Sequence, residues 1–243
     1  MNPDVIIPAR MGSSRFPGKP LVPICGVPLI VRVCERAGLV FDRSKIFVAT
    51  ESSQIGEVVR QHGFQVVYTS KHCETGTDRI AEAAKIVGST HVINLQGDEP
   101  LVRAEHLKIV LEAATKRPDV THNCYTQVES ENEMRSRNVP KVVVSPSGSL
   151  LYASRAPIPF GKQPEKSTLG LKQVCVYFFP KAHLQHFGEN KQKSPLEKIE
   201  DIEILRLVEN SNPVLMHELK GRFQAVDEIS DVQKVEDLIS NGY

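Results

Sequence analysis

Short apolar runs alternate with amphipathic stretches through the first half of the chain. The apolar runs have the length and composition of buried strands; they are Val5–Ile7, Ile46–Ala49, Gln65–Tyr68 and His91–Leu95. The amphipathic stretches have the spacing of helices; they are Leu29–Ala37, Ile55–His62, Asp78–Val87 and Glu105–Thr115. Strands that alternate with helices in this way form a parallel sheet with helices on both faces. The pattern therefore predicts an α/β fold with three layers.

The second half of the chain has a different pattern, because its strands are not separated by long helices. The predicted strands are Val120–Gln127, Lys141–Val144, Leu150–Ala153 and Gln173–Phe179. Before the last of them, Pro157–Leu171 is rich in Pro, Gly and Lys and predicts an extended excursion. Helices are predicted at Pro195–Val208, with Ser194 as N-cap, and at Asp227–Ile239. No boundary divides the chain, so residues 1–243 are predicted to form a single domain.

The loop that follows Ile7 combines small residues with positive charge. It contains Gly12, Gly18, Arg10, Arg15 and Lys19. Backbone N–H groups and cations placed between a strand and a helix form a binding site for phosphate groups. Ligands of a parallel sheet gather at the carboxyl ends of its strands, which is where this loop begins. We therefore predict a polyphosphate-binding loop, with a solvated surface loop as the alternative.

This loop is not a P-loop. A P-loop has four residues between its glycines, followed by Lys and a Ser or Thr whose hydroxyl binds Mg²⁺. Here five residues separate Gly12 from Gly18, and Pro20 follows Lys19. Any Mg²⁺ must therefore take its ligands from elsewhere in the chain.

Candidate metal ligands follow a predicted strand and precede a predicted helix. Asp98 lies just past the strand that ends at Leu95, and Gly97 permits a tight turn before it. Polyphosphate substrates arrive with Mg²⁺, which proteins hold through one or two carboxylates. Asp227 offers the second carboxylate. The alternatives are a simple turn at Asp98 and a helix N-cap at Asp227.

Composition narrows the classes of function. A net charge of +1 over 243 residues argues against a general nucleic-acid-binding protein, and the absence of Trp argues against a base-stacking surface. No apolar run approaches the length of a membrane span, and no signal peptide is indicated. The five cysteines form no CxxC pair, so we expect reduced thiols and a cytoplasmic location.

Several short motifs occur in a fixed order along the chain. They are Ile6-Ile7-Pro8-Ala9-Arg10, Gly12-Ser13-Ser14-Arg15, Pro17-Gly18-Lys19-Pro20-Leu21, Gly76-Thr77-Asp78-Arg79, Asn94-Leu95-Gln96-Gly97-Asp98-Glu99-Pro100, Ser194-Pro195-Leu196-Glu197 and Val226-Asp227. In this order they resemble the bacterial CMP-Kdo synthetases, or 3-deoxy-manno-octulosonate cytidylyltransferases. The resemblance implies a Rossmann-like sheet of the nucleotide-diphospho-sugar transferase type. It also implies that residues 150–180 form a smaller mixed β excursion used for dimerisation, so a homodimer is expected.

The resemblance further implies a reaction that depends on Mg²⁺. Such an enzyme transfers CMP from CTP to the anomeric hydroxyl of a 2-keto-3-deoxy sugar acid, here Kdo, and releases pyrophosphate. The implied catalytic residues are Arg10, Lys19, Asp98 and Asp227, and the two aspartates are the implied metal ligands. Transfer of this kind needs positioning and charge compensation rather than covalent catalysis.

The resemblance assigns further residues to the two substrates. The implied CTP-binding residues are Ala9, Arg10, Gly12, Ser13, Lys19, Thr77, Arg79 and Asp98. The implied acceptor-binding residues are Arg15, Gln96, Arg155, Gln173, Tyr177, Glu203 and Ile204.

The chain departs from the family's pattern on the acceptor side. Gln173 stands where the family has His, and Ile204 stands where it has Gln. An unpaired sugar hydroxyl costs about 1–3 kcal/mol, so the loss of two polar contacts makes a changed acceptor an alternative to Kdo. A modified ulosonic acid or another acid is therefore an alternative acceptor, and a catalytically silent CTP-binding protein is a further alternative. A third departure, at Glu51 and Ser52, is predicted to be minor.

Overall fold

The computed structural model describes residues 1–12, 16–162, 170–189 and 192–242. The elements of the first half are β1 (Asp4–Pro8), β2 (Pro23–Ile24), β3 (Val27–Pro28), α1 (Leu29–Gly38), β4 (Ile46–Thr50), α2 (Ser53–Gln61), β5 (Gln65–Tyr68), α3 (Gly76–Val87), β6 (His91–Leu95) and α4 (Ala104–Lys116). Those of the second half are β7 (Thr121–Gln127), α5 (Glu131–Arg135), β8 (Lys141–Val144), β9 (Leu150–Ser154), β10 (Leu171–Pro180), α6 (Lys181–Glu189), α7 (Pro195–Glu200), α8 (Leu205–Glu209), β11 (Val214–Glu218) and α9 (Ile229–Ser240).

The main sheet has the strand order β11-β7-β10-β6-β1-β4-β5. β1 pairs in parallel with β4 and β6, β4 pairs in parallel with β5, and β7 pairs in parallel with β11. β10 runs antiparallel to both of its neighbours in this order, β6 and β7. Off this path, β8 pairs with β10 and β9 in antiparallel fashion. The predicted mostly parallel sheet is confirmed, and β10 is the strand within it that reverses direction.

Alternate side chains of the strands enter two hydrophobic cores on opposite faces of the sheet. In β1, Val5 and Ile7 belong to one core and Ile6 belongs to the other. Helices α1, α2 and α4 contribute buried residues to the first core, and α3, α6 and α8 contribute to the second. Burial of each large aliphatic side chain in these cores contributes about 1.5–3 kcal/mol to the free energy of folding. The predicted three-layer α/β fold is therefore confirmed.

The predicted helix at Pro195–Val208 is wrong in its middle. Ser194 caps α7 as predicted, through a capping box with Glu197. The helix then ends because Asp201 has a φ of 51°, in the left-handed region that a right-handed helix does not use. An ion pair of 2.5 Å joins the Asp201 carboxylate to Lys193, outside the helix. The sequence pattern also gave no helix at α5 or α6 and no strand at β11.

The last predicted helix begins later than expected. Its N-cap is Glu228, which forms a capping box with Asp231, and α9 starts at Ile229 rather than at Asp227. Asp227 is therefore not the N-cap that formed the alternative to a metal ligand.

The predicted excursion lies partly outside the described residues, because these do not include residues 163–169. Dimerisation through residues 150–180 stays a prediction. None of the helices within the described ranges has both the length and the hydropathy needed to span a bilayer.

Two histidines on adjacent strands form a pair in the second half of the sheet. Nδ1 of His122 on β7 lies 2.8 Å from Nε2 of His217 on β11, and the ring centroids are 5.1 Å apart. Nε2 of His122 lies 2.8 Å from the carbonyl oxygen of Arg117. Burial, together with the neighbouring His122, lowers the pKa of His217 to about 4. Burial also lowers the pKa of His122, so both rings are neutral at neutral pH.

We expect acid to destabilise the protein through this pair. A histidine in the unfolded chain has a pKa of about 6.5, so between pH 6.5 and pH 4 the unfolded state binds more protons than the folded state. The free energy of unfolding therefore falls as the pH falls through this window. The free energy of unfolding should fall less between pH 7 and pH 5 in the His217→Gln variant than in the unsubstituted protein, by about 1 kcal/mol. This value allows for the partial exposure of the ring.

Urea unfolding of both proteins at pH 7 and pH 5 measures this difference. The matched control is His72→Gln, which replaces an exposed histidine and should leave the pH dependence unchanged. Equal pH dependence in the His217→Gln variant and the unsubstituted protein would contradict the prediction.

Candidate active site

A cavity of about 810 Å³ opens at the carboxyl ends of β1 and β6. Its walls come from the loops after these strands, the first turn of α3, strand β10 and the segment before α9. Among the residues that line it are Ala9, Arg10, Lys19, Arg79, Gln96, Asp98, Arg155, Gln173, Tyr177, Glu203 and Asp227. The structure therefore brings most of the sequence-predicted site residues to one cavity, of a volume typical of small-molecule sites.

A close backbone approach fixes the loop after β6. A Cβ atom on Gly97 would lie 2.7 Å from the carbonyl oxygen of Pro8, at the end of β1. Real Cβ atoms do not come this close to a backbone oxygen, so the position requires glycine. The N–H of Gln96 also donates to the carbonyl oxygen of Cys175 at 3.2 Å. These contacts place Asp98 beside the loop that follows β1.

Lys19 lies between the two aspartates that the sequence predicts as metal ligands. Its Nζ atom donates to Oδ2 of Asp98 at 2.8 Å and lies 3.8 Å from Oδ1 of Asp227. Gly18, with a φ of 74°, turns the chain just before Lys19. The aspartate side chains are 26% and 27% exposed, so they are accessible to a ligand in the cavity.

The two aspartates are held near each other by the backbone. The N–H of Val226 donates to the carbonyl oxygen of Asp98 at 3.0 Å. The N–H groups of Asp227 and Glu228 donate to Oδ2 of Asp231 at 3.0 and 2.9 Å. Asp231 therefore accepts hydrogen bonds from the backbone N–H groups that precede α9. The Asp227 side chain faces the cavity.

The pair Asp98 and Asp227 fits a magnesium ion. The Lys19 ammonium shows that a cation is stabilised between these oxygens. Hard oxygen ligands are those that Mg²⁺ prefers, and one or two carboxylates suffice when substrate phosphates and water complete the coordination. Within the described ranges, no group of three or more His, Cys, Asp or Glu side chains is placed to hold a metal. A metal ion held by these two carboxylates would take its remaining ligands from substrate phosphates and water.

Arg79, predicted to bind CTP, is tied to the neighbouring strands. Its Nη2 atom lies 2.9 Å from Oε2 of Glu51, and its Nη1 atom donates to Oγ1 of Thr69 at 2.6 Å. Oε1 of Glu51 accepts from the N–H of Met11 at 3.1 Å. Glu51 thus joins the loop after β1 to α3. The change at Glu51 is predicted from the sequence to be minor, although its place just past β4 satisfies the same strand-end rule that identifies Asp98.

The other loop residues predicted to bind CTP differ in how they are placed. Ala9 is buried, and its N–H donates to the carbonyl oxygen of Ala49 at 2.9 Å. Arg10 and Gly12 are exposed. Ser13, together with Arg15 of the predicted acceptor site, lies outside the described residues.

Glu203, predicted to bind the acceptor, holds the start of α3. Its Oε1 and Oε2 atoms accept from the N–H groups of Gly76 and Thr77 at 3.0 and 2.7 Å. Burial raises the pKa of Glu203, and these hydrogen bonds oppose the rise. The Gln96 amide packs beside these hydrogen bonds: its Nε2 atom lies only 3.0 Å from the position that a Cβ on Gly76 would occupy. Thr77 therefore has its backbone N–H satisfied by the protein.

A buried ion network supports this corner of the cavity. Nε and Nη2 of Arg206 donate to the Glu197 carboxylate at 2.6 and 2.7 Å, and Nη1 donates to Oδ1 of Asp78 at 2.7 Å. The guanidinium also lies 4.5 Å from the ring centroid of Phe187. Removal of one partner from such a buried network costs about 3–5 kcal/mol. Arg206 is not among the residues that the sequence predicts for the site, although both of its acidic partners belong to motifs on which the resemblance rests.

The predicted acceptor residues on β10 lie in the cavity wall. Nε2 of Gln173 donates to Oδ1 of Asn123 at 2.8 Å. Nδ2 of Asn123 donates to the carbonyl oxygens of Val174 and Val176, where the register of β10 shifts. Burial raises the pKa of Tyr177 well above its usual value, so its hydroxyl remains protonated.

Two further acceptor predictions need qualification or correction. Ile204 is 1% exposed and packs in the core, so the prediction that it faces the acceptor is wrong. The Ile204 side chain is therefore not part of the cavity wall. Arg155 lines the cavity, but its Nη1 and Nη2 atoms donate to the carbonyl oxygens of Arg137 and Asp201 at 2.7 and 2.8 Å. Contact of Arg155 with an acceptor stays a prediction.

Glu99 and Lys172 also line the cavity, although the sequence analysis did not single them out. Burial, and then the neighbouring Asp98, raise the pKa of Glu99 to about 7. Lys172 forms an ion pair with Glu133 and donates to the carbonyl oxygen of Phe223 at 3.3 Å. Glu99 follows Asp98 in the same motif, and this adjacency was the available signal.

The sheet edge, the cationic loop and the carboxylate pair define a nucleotide-binding α/β protein. Within that class, the family profile described as Cytidylyltransferase matches residues 5–219. The chain belongs to the cytidylyltransferase family, a family of nucleotidyltransferases.

Several relatives carry the same name, 3-deoxy-manno-octulosonate cytidylyltransferase. The protein of Chlorobium limicola is 39% identical over 213 residues, which cover 86% of each chain. The protein of Polynucleobacter asymbioticus is 36% identical over 244 residues, which cover 98% of this chain and 95% of its own. That of Escherichia coli is 34% identical over 236 residues, which cover 97% of this chain and 95% of its own.

Solved structures agree with these sequence matches. A CMP:2-keto-3-deoxy-manno-octonic acid synthetase complexed with CTP superposes with a TM-score of 0.90 and 33% identity, and the match covers 100% of both chains. A cytidylyltransferase of Leptospira borgpetersenii, at 16% identity and a TM-score of 0.63, shares the fold over 99% of this chain and 87% of its own. The resemblance inferred from the motifs is confirmed.

Gly97→Ala should displace the loop that carries Asp98. The new Cβ would meet the Pro8 carbonyl at 2.7 Å, and a backbone oxygen in a buried strand cannot move away easily. We expect a loss of about 1–3 kcal/mol in the free energy of unfolding and a larger proportional loss of nucleotidyl transfer. Urea unfolding and a pyrophosphate-release assay measure the two effects.

The matched control is Gly188→Ala in α6. A Cβ on Gly188 meets nothing within 4 Å, so this variant should keep its activity and be as stable or more stable. Full activity and stability in Gly97→Ala would show that the close approach does not constrain the loop.

Proposed function

We propose that this protein is a 3-deoxy-manno-octulosonate cytidylyltransferase, which transfers CMP from CTP to Kdo and releases pyrophosphate. The observation that carries the proposal is the contact of Lys19 with Asp98 and Asp227 at the carboxyl edge of the sheet. The names of the relatives, and the CTP in the similar solved structure, support the choice of both substrates.

The reaction is a substitution at phosphorus. The oxygen of the anomeric hydroxyl forms a bond to the α-phosphorus of CTP and loses its proton to solvent. The bond from the α-phosphorus to the oxygen that bridges to the β-phosphate breaks, and pyrophosphate leaves with the electron pair. Negative charge on the phosphate oxygens is compensated by Arg10 and Lys19, which extend from the loop after β1.

Asp98 and Asp227 would hold Mg²⁺ in this reaction. When bound, the ion neutralises phosphate charge and acts as a Lewis acid. The contribution of the chain is to hold two carboxylates and one ammonium at the same place before the substrates arrive, through the turn at Gly97 and the N–H of Val226.

The proposal includes a homodimer and a cytoplasmic location. The dimer is supported by two large apolar side chains on the segment 150–180, because Leu151 is 56% exposed and Phe160 is 85% exposed. Exposed apolar side chains of this size are common at interfaces between subunits.

The acceptor is tested by pyrophosphate release from CTP and Mg²⁺, first with Kdo and then with related ulosonic acids. Rapid release with Kdo supports the proposal in full. Release of pyrophosphate only with another acid would show that the protein is a cytidylyltransferase whose acceptor is that acid rather than Kdo. Binding of CTP without release from any acceptor would favour a catalytically silent CTP-binding protein.

Asp98→Asn and Asp227→Asn should each lower turnover by about 100-fold or more, because each removes a charge that a bound Mg²⁺ requires. The free energy of unfolding should change little, since both side chains face the cavity. The matched control is Asp237→Asn on the exposed side of α9, which should keep full activity. Near-normal turnover in either cavity variant would remove the metal assignment.

A further inference from the structure

Glu99 is a buried carboxyl group in the wall of the cavity. The residue is 4% exposed and lines the cavity beside Gln173 and Cys175. Its Oε1 atom accepts a hydrogen bond from the N–H of Cys175 at 3.3 Å. Its Oε2 atom is buried and has no hydrogen-bond partner within the residues that the structure describes. Rotation about the terminal side-chain bond exchanges the two oxygens, so one of them always lacks a partner.

A buried carboxylate oxygen without a donor is costly, because it has lost its water and gained nothing in return. Glu99 cannot move out of the wall easily, since Pro100 follows it and its own N–H donates to the carbonyl oxygen of Gln96. The chain therefore holds, in the wall of the cavity, a hydrogen-bond acceptor that no described group of the protein satisfies.

The ligand group at Glu99 is not a metal ion held jointly with the two aspartates. Among the described residues, Glu99, Asp98 and Asp227 do not form a group placed to hold one. In the cavity wall Glu99 contacts β10, whose Cys175 N–H donates to it. A neutral hydroxyl is the donor that suits this place, because it can donate a hydrogen bond to the carboxyl group without bringing another charged group into the buried wall.

We propose that Glu99 is a specificity-determining residue, whose unpaired oxygen accepts a hydrogen bond from one hydroxyl group of the sugar-acid acceptor. This inference rests on the proposed function. Glu99 thereby selects for a polyhydroxylated acid that carries a hydroxyl at the ring or chain position nearest to this oxygen. An acceptor that lacks this hydroxyl leaves Glu99 unpaired and is discriminated against.

The test combines variants of Glu99 with a series of acceptors that each lack one hydroxyl. In the unsubstituted protein, one deoxy acceptor should lose about 10-fold to 100-fold in kcat/KM, the range expected when a buried hydrogen-bond acceptor is left unpaired. In the Glu99→Gln and Glu99→Ala variants, kcat/KM for the parent acceptor should fall by a similar factor. For that deoxy acceptor, kcat/KM should fall little below its value in the unsubstituted protein. The KM for CTP should not change in either variant.

The matched control is Glu112→Gln, which replaces an exposed carboxylate on α4 outside the cavity and should leave all these values unchanged. Equal sensitivity of all acceptors to Glu99→Gln would overturn the inference, as would an effect confined to the KM for CTP. If the unsubstituted protein transfers CMP to no sugar acid, the proposed function fails and the inference fails with it. If it transfers CMP normally and Glu99→Gln does so too, only the inference fails.

Discussion

The architecture of the cavity depends on the close approach of two chain segments at the ends of β1 and β6. These strands pair in parallel, so their carboxyl ends lie side by side. Gly97 then passes so near the Pro8 carbonyl that no side chain fits between them. This contact determines how far Asp98 stands from Lys19, and the N–H of Val226 brings Asp227 to the same place. A larger separation would leave the ammonium and the carboxylates solvated individually, and their attraction would fall with distance.

The parts of the fold that could be predicted are those in which local pattern and tertiary structure agree. β5 and β6 have the predicted bounds. β6 is a short buried apolar run, whereas β5 lies at the edge of the sheet, is partly exposed, and is indicated by its β-branched residues. The break between α7 and α8 could not be predicted in this way. It depends on the left-handed backbone at Asp201, which is accompanied by an ion pair with Lys193, and neither is visible in the spacing of apolar residues. The direction of β10 likewise depends on its neighbours.

The candidate site was predictable where chemistry follows from position at a strand end, as for Asp98. It was less predictable where the direction of a side chain matters. Glu203 and Ile204 are adjacent in sequence, yet one caps α3 at the cavity and the other is in the core. A family pattern identifies such positions, but it does not say which way each side chain points. Arg206 shows the same limit, because its two acidic partners lie on different helices and only the folded chain brings them together.

The arrangement of Lys19 has a thermodynamic consequence for ligand binding. Together with Asp98 and Asp227 it carries one net negative charge in the free protein, and its ammonium occupies the oxygens that a divalent ion would need. Binding of the proposed Mg²⁺ would therefore be an exchange of counter-charges, which would weaken the affinity for the metal alone. Nucleotide phosphates supply the displaced ammonium with new oxygen partners. Metal and nucleotide would thus favour each other's binding, and the coupling free energy would be the same whichever of them bound first.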